Sequence, residues 1–416
     1  MGRLVQKFGS ATVGDVERIR RCAEIAVKAA SEGHEVMAVV SSMGESSDRL
    51  NSLATQITGN PGNREMDMLL ATGDQMSVAL MSMAIQSMGG AARAFTGTQS
   101  GIITEQKNGA TAIKEINCLP IESALARGEI AVVAGRQGVS ESAEITTITH
   151  GGANVAAIAL ASSFGAERCD IYTNVRGVCT TDPNILSKAR LLPAISYEEM
   201  LELSATGTPL MSVPALEMAM DTHLPIRVRS LQDPDNLGTL ITHRLVAPEN
   251  TVCAISLDLR QASLTLKSLN LGADENTLEG ISALFTRLGE LNITTDMVML
   301  LTREDEPAQE LSMTIDRHSI ARVRAIIDSL SNFLGAHQVR TDTEIARISV
   351  IGRRLTSHPE VVAAVFDTLN HANIPVQMVA TSDLRVSVLL PSVHSAPAVK
   401  LLHDRFMLDE SGHGYQ

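Results

Sequence analysis

The sequence predicts an α/β chain: a domain on a mostly parallel sheet with helices on both faces, followed by two smaller ferredoxin-like βαββαβ units. Three observations lead there. In the first part, short β-rich runs alternate with helical ones, the order that βαβ units require. The opening run Val5-Gln-Lys7-Phe-Gly9-Ser-Ala-Thr-Val-Gly14 leaves an apolar strand, turns on a glycine and opens a helix. Beyond about residue 250 a smaller pattern occurs twice: Phe285, Leu288, Asn292, Ile293, Met297 and Val298 recur as Phe366, Leu369, Asn373, Ile374, Met378 and Val379 at one common offset.

The elements follow from periodicity. Val16, Ile19, Ala23, Ala26 and Ala30 share a helical face, Gly33 stops that helix, and Val36 to Val40 reads as a buried strand. A long helix from Met66 to Met88 ends at Gly89-Gly90. Strands are expected at Ala91 to Phe95 and Ile130 to Ala134, a helix from Asn154 to Phe164, and a strand from Cys169 to Thr173. Ser196 and Glu199 form a capping box before the next helix. Strands at Ile226 to Arg229 and Gly238 to Ile241 close the domain, expected over 1–245. The repeats are expected over 250–335 and 340–416. Their strands are Ser263 to Lys267, Leu311 to Ile315, Ile348 to Ile351 and Arg385 to Leu390. Leu278, Ile281, Leu284 and Leu288, and Val361, Val365 and Leu369, are expected to face their own sheets. Strands such as Arg385 to Leu390 are then left to pair across a dimer interface.

Composition narrows the function. The 416 residues are 44% hydrophobic and only 2% aromatic, with no tryptophan, so the core is aliphatic and a stacking surface for single-stranded nucleic acid is not expected. A formal charge of −13 repels a polyanion such as DNA, and no nucleic-acid partner is expected. Cys22, Cys118, Cys169, Cys179 and Cys253 are scattered, without a C-x-x-C pair, so neither a disulfide framework nor a metal site is expected. No leader and no run of about 18 uninterrupted apolar residues is seen, which gives a cytoplasmic expectation with no membrane partner.

The turn around Gly9 has the build of a phosphate cradle. N–H groups at a helix N-terminus point at an anion, glycine permits close approach, and Lys7 adds a mobile positive charge. Alone, such a turn is equally well a packing device. The segments that follow resemble the aspartate kinase family over the whole chain. They are Val39-Val-Ser-Ser-Met-Gly44, Leu69-Leu-Ala-Thr-Gly-Asp74-Gln, Phe95-Thr-Gly-Thr-Gln-Ser-Gly-Ile102, Val133-Ala-Gly-Arg-Gln-Gly-Val139, Thr173-Asn-Val-Arg-Gly-Val-Cys-Thr-Thr-Asp-Pro183 and Ile195-Ser-Tyr-Glu-Glu-Met-Leu-Glu-Leu203.

The resemblance implies an amino-acid kinase fold followed by two ACT domains, with ATP and Mg²⁺ as cofactors if the chain is active. It implies catalytic roles for Lys7 and for Asn154, which replaces a family carboxylate. Gly9, Ser10, Thr173, Asn174, Cys179 and Asp182 fall at nucleotide-side positions, and Ser41, Ser47, Asp74, Arg136 and His150 at acceptor-side positions. It further implies effector contacts at Asp274, Asn292, Ser357 and Asn373, with lysine or threonine as effector, and a homo-oligomer formed through the ACT domains.

Many polar residues of that pattern are replaced. The family's Gly-Arg-Gly-Gly-Ser-Asp-Thr-Thr-Ala reads here Thr149-His-Gly-Gly-Ala-Asn-Val-Ala-Ala157, so His150 stands for a carboxylate-clamping arginine. Ser10 and Ala11 replace Gly and Thr in the first cradle, Asn174, Arg176 and Cys179 replace two aspartates and a tyrosine, and Pro209 replaces a lysine. Arg136 is a gained cation where the family has an aromatic residue. Two readings result. One is a homologue impaired toward aspartate that serves as a regulatory, amino-acid-sensing or scaffolding paralogue, and the number of losses favours it. The alternative is an active ATP-dependent kinase of the aspartate side-chain carboxylate, in lysine, threonine and methionine biosynthesis, or of a related small carboxylate.

Overall fold

Strand β1 (Arg3–Phe8) buries Leu4, Val5 and Phe8 on both of its faces, and parallel strands flank it on both sides. The computed structural model describes residues 2–59, 61–107, 110–148, 151–208, 210–243, 251–269, 276–303, 306–334 and 338–409. Packing divides the chain into two compact units. The first comprises Met1–Cys179, Leu191–Ala205 and Pro209–Pro248; the second comprises Thr180–Arg190, Thr206–Thr208 and Glu249–Gln416.

In the first unit the order is β1, α1 (Val16–Ser31), β2 (Glu35–Val40), α2 (Ser46–Ile57), α3 (Asn63–Ser87), β3 (Ala92–Phe95), β4 (Ile102–Lys107), β5 (Ala110–Ile116), α4 (Leu119–Leu125), β6 (Ile130–Ala134), β7 (Gln137–Ser140), β8 (Ile145–Thr147), α5 (Gly152–Ser163), β9 (Arg168–Thr173), β10 (Ala194–Ile195), α6 (Tyr197–Ala205), α7 (Val213–Asp221), β11 (Ile226–Ser230) and β12 (Thr239–Ile241). Eight strands form one sheet in the order β10-β12-β11-β9-β1-β2-β6-β3, all parallel pairings except β11 with β12. Helices α1 and α3 share a core with one face, through Ile19, Ala23, Ala26, Val78, Met81 and Ile85. Length and composition alone would let α3 span a membrane, yet its Val78, Met81 and Ile85 are buried in this core. Helix α5 is alanine-rich and almost wholly buried, as suits a helix covered on all sides.

The registers Lys7↔Val39, Lys7↔Ile171 and Val39↔Val133 bring the carboxyl ends of β1, β2, β6 and β9 to one edge, where open α/β sheets bind ligands. The capping box forms as expected: Ser196 N–H donates to Glu199 Oε2 at 3.0 Å, and Glu199 N–H to Ser196 Oγ at 3.2 Å. A small sheet, β5-β4-β7-β8, was not anticipated. Val16, expected on the buried face of α1, is exposed.

The second unit carries β13 (Val252–Asp258), β14 (Gln261–Leu269), α8 (Asn276–Glu290), β15 (Thr295–Arg303), β16 (Glu306–Asp316), α9 (Ile320–Ser329), α10 (Ser331–Leu334), β17 (Gln338–Asp342), β18 (Ile345–Gly352), α11 (Pro359–His371), β19 (Met378–Thr381), β20 (Arg385–Pro391) and α12 (Ser395–Arg405). They form two antiparallel sheets, β15-β16-β14-β17 and β13-β18-β20-β19. Each has the strand order of a ferredoxin-like unit. The strands do not divide at the expected limits. β13, which precedes the first repeat, is hydrogen-bonded into the second sheet along β18, while β17 closes the first.

Two further expectations change. Arg385 to Leu390 lies inside its sheet, with β18 on one side and β19 on the other, so both its hydrogen-bonding edges are used and it cannot pair across an interface. Leu284, Leu288, Val361, Val365 and Leu369 are buried in their cores as expected, whereas Leu278 is 65% exposed near the start of α8.

Candidate active site

Lys7 lies on β1 between β2 and β9, one residue before the strand's end. Its ammonium sits over Gly9: a Cβ built at Gly9 would lie 2.9 Å from Lys7 Nζ, so glycine here leaves room for the cation. Burial pushes the Lys7 amine down to about 8, since a buried charge loses its hydration.

Beside Lys7 is a cavity of about 430 Å³ lined by Arg136, Thr147, Ile148, Gly151, Gly152, Ala153 and Asn154. It opens on the N-terminus of α5. Gly151 takes the left-handed conformation, φ +79°, that turns the chain into the helix, and a Cβ there would strike Ser212 at 2.4 Å. Among the described residues no side chain caps this helix, and its dipole directs positive potential at the cavity. Arg136 Nε, Thr147 Oγ1 and Asn154 Oδ1 are buried and lack hydrogen-bond partners among the described residues. All three atoms have almost no accessible surface, so they sit behind the cavity wall and a ligand in the cavity reaches them only after these side chains turn.

Arg136 joins this cavity to the loop after β2. Its Nη2 donates to Ser47 Oγ at 2.6 Å and Ser42 Oγ at 3.2 Å, and lies 3.5 Å from Asp74 Oδ1. Ser42 and Ser47 are themselves 2.6 Å apart. Asp74 is almost fully buried; burial raises its carboxyl pKa, and Arg136 opposes that shift. Ser41 is buried at the end of β2, its N–H donating to Phe8 O at 3.0 Å. Ser10 ties the neighbouring loop through its carbonyl, which accepts from Gly44 N–H at 3.3 Å.

Thus Lys7, Gly9, Ser10, Ser41, Ser47, Asp74, Arg136 and Asn154 come to one edge of the sheet. Thr173 ends β9 at the same edge, with its Oγ1 accepting from Val175 N–H at 3.0 Å, and Asn174 follows it, exposed. Cys179 bridges to Leu191. Asp182 belongs to the second unit, where its exposed carboxylate accepts from Asn184 N–H at 2.8 Å. His150, Pro209 and Asp274 lie outside the described residues.

At the repeats, Asn292 and Asn373 have positive φ values of 52° and 54° just after α8 and α11. The following N–H groups return to the helices, Ile293 to Leu288 O at 2.8 Å and Ile374 to Leu369 O at 2.9 Å. Both asparagines therefore end helices, the use for which asparagine is second to glycine. Ser357 is exposed in the short turn before α11. The sequence reading missed Ser42, Thr147 and Ser212 at the site. The glycine pair before the alanine-rich helix was the available signal for the first turn of α5.

Fold and site define an α/β chain with a cation-lined sheet edge followed by two ferredoxin-like repeats, and comparisons with known proteins agree on the fold. Residues 2–230 match the family described as the amino acid kinase family, and residues 348–406 match an ACT domain. The chain belongs to the aspartokinase family. It is 38% identical to aspartokinase 2 of Bacillus subtilis over 411 residues, 99% of each chain. It is 36% identical to the aspartokinase of Mycolicibacterium smegmatis over 414 residues, 98% of this chain and 97% of that one. The crystal structure of E. coli aspartokinase III in complex with aspartate and ADP shares the fold, with a TM-score of 0.79 at 21% identity over 97% of this chain and 99% of that one. The aspartate kinase from Synechocystis has a TM-score of 0.54 at 32% identity, over 97% of this chain and 69% of that one.

Proposed function

We propose that the chain transfers the γ-phosphoryl group of ATP to the carboxylate of a small acid, with the side chain of L-aspartate as the first acceptor to test. The supporting observation is the cavity beside Lys7, lined by a buried amine, the Arg136 side chain and the N-terminus of α5. Both reactants are anions, so transfer needs positive potential that is in place before they arrive. A carboxylate oxygen attacks Pγ, the bond from Pγ to the β–γ bridging oxygen breaks, and ADP leaves with that electron pair. The product is an acyl phosphate, and no proton moves. Lys7 faces both anions; Mg²⁺ would arrive on the nucleotide's phosphates.

The expectation of impaired catalysis rests on the replaced residues alone. Full-length identity of 34–38% with proteins named aspartokinase, together with the intact Lys7 cavity, favours the active reading. Residues 1–245 would then carry transfer. The ACT units would bind an amino-acid effector, lysine or threonine, and assemble a homo-oligomer, in a cytoplasm that keeps the five free cysteines reduced. Hydroxylamine trapping of the acyl phosphate, with Mg·ATP and a panel of small carboxylic acids including aspartate, tests the reading. Hydroxamate forming at a rate on the order of 1 per second or more is expected. None above a heat-inactivated control, with any acid, would sink it.

A further inference from the structure

Helix α3 buries one side and leaves the other bare of charge. Ala71, Val78, Met81 and Ile85 are buried, while Met68, Met76 and Met83 stand 52%, 43% and 61% exposed. At 3.6 residues per turn these three methionines, with Thr72, Ala79 and Gln86, fall within roughly 80° of arc, so they form one stripe along the helix. From Met68 to Met88 the only ionisable side chain is Asp74, and it is buried. The solvent face of a helix ordinarily carries charged residues, and this stripe has none. Helix α2 packs beside it, a Cβ built at Gly73 lying 3.4 Å from Leu50 Cδ1. It too is uncharged from Leu50 to Ile57, and it exposes Leu53 and Ile57.

We propose that a second copy of the chain docks on this face, α3 against α3, antiparallel about a two-fold axis near Met76. Spacing selects this occupant. Met68 stands eight residues before Met76 and Met83 seven after it, so the axis sets Met68 of each copy beside the partner's Met83 and the two Met76 side chains against each other. Thioether side chains fill such a contact without a preformed hole. Charge selects the same occupant. At a formal charge of −13 two copies repel each other, and least where the surface is neutral. The charged residues that α3 does carry, Arg64, Glu65 and Asp67 beside the buried Asp74, gather near its start. An antiparallel pair keeps the two groups at opposite ends, whereas a parallel pair would set Asp67 against its like. A lipid surface fits less well, since helices that lie in a membrane interface bring basic residues to the headgroups and this stripe brings none. The stripe alone, about 30 Å by about 10 Å, is smaller than the roughly 800 Å² per partner of a stable interface, so α2 contributes the remainder. This docking is independent of the kinase reading and of pairing through the repeats.

The full chain carrying Met76→Cys is treated with a short bismaleimide at micromolar concentration and read on a denaturing gel, with the native chain and its five free cysteines as background. A cross-linked dimer is expected, because the axes of packed helices lie about 8–10 Å apart. Met68→Cys and Met83→Cys, each alone, should give about tenfold less, since copies of either position lie more than about 20 Å apart across the axis. The double variant Met68→Cys/Met83→Cys should cross-link as Met76→Cys does. Thr72→Glu added to Met76→Cys charges the face and should lower the cross-linked fraction by about tenfold; Met83→Glu takes its place if that variant does not fold. No dimer above the native background from Met76→Cys overturns the proposal. So does equal cross-linking by the three single variants, or a fraction unchanged by the added glutamate. Co-sedimentation of the native chain with phosphatidylglycerol vesicles, in the absence of cross-linking, would overturn it in favour of lipid.

Discussion

Lys7 is a buried amine whose pKa is pushed down to about 8, and its buried charge is a local cost to folding. Between pH 8 and its unfolded value near 10.5 the unfolded chain binds more protons than the folded one, so folding stability rises with pH across that window. Below it the cation stays buried at a cost. Lys7→Met is therefore expected to raise the melting temperature at pH 7 and to lose most of that advantage by pH 10, read by calorimetry. The same substitution should lower phosphoryl transfer by about 10²–10³-fold, the usual loss for a preorganised charge at a transition state. If the native protein transfers phosphoryl groups as proposed, its kcat/KM should fall above about pH 8 as the amine loses its proton. A flat profile from pH 7 to 10 would show that Lys7 does not act as a cation.

At the scale of elements, local sequence signals were legible where one residue type does one physical job. Ser196 and Glu199 announced the capping box, and Gly33, at φ +94°, announced the end of α1. The long helix and the parallel strands followed from apolar periodicity. What was not legible was pairing. The apolar run Arg385 to Leu390 looks the same whether it lies at a sheet's edge or inside it, and only partners far along the chain, β18 and β19, decide which. The site divided likewise: Lys7 and Arg136 were visible as residue types. That Arg136 engages Ser42, Ser47 and Asp74 could not be read from a sequence in which those residues stand up to 94 positions away. The asparagines of the repeat recurred for a backbone reason, ending helices at positive φ. Asn373→Ala should accordingly cost about 1 kcal/mol while Asn373→Gly is nearly neutral, measured as melting temperatures. Equal losses would return Asn373 to a side-chain role.

At the scale of the whole molecule, the second unit joins two sheets through strands exchanged in sequence order. A partly buried ionic cluster also links them: Arg347 pairs with Asp258 at 3.2 Å and with Asp296, and Arg385 pairs with Asp296 at 2.8 Å. Asp296 lies on β15 of the first sheet, and Arg347 and Arg385 on β18 and β20 of the second. Asp296→Ala takes one carboxylate from each of the two guanidiniums and is expected to lower the melting temperature, read by calorimetry.

The strand β13 has a consequence for how this chain can be cut and rejoined. Because Asp258 lies opposite Arg347 and β13 runs antiparallel to β18, the first repeat is an insert: the chain leaves one half-built sheet, completes another, and returns to the first beside the point of departure. A cut just before β17 takes β17 from the first sheet and β13 from the second, and a cut just after β17 still takes β13 from the second. Excising residues 259–346 and joining Asp258 to Arg347 through a tight Asn-Gly turn would instead convert β13 and β18 into a hairpin in their present register. The protein so shortened should keep a complete four-stranded second sheet and a cooperative melt. A truncation that removes β13 as well should not, and a shortened chain that unfolds as readily as that truncation would show that the two sheets cannot be parted.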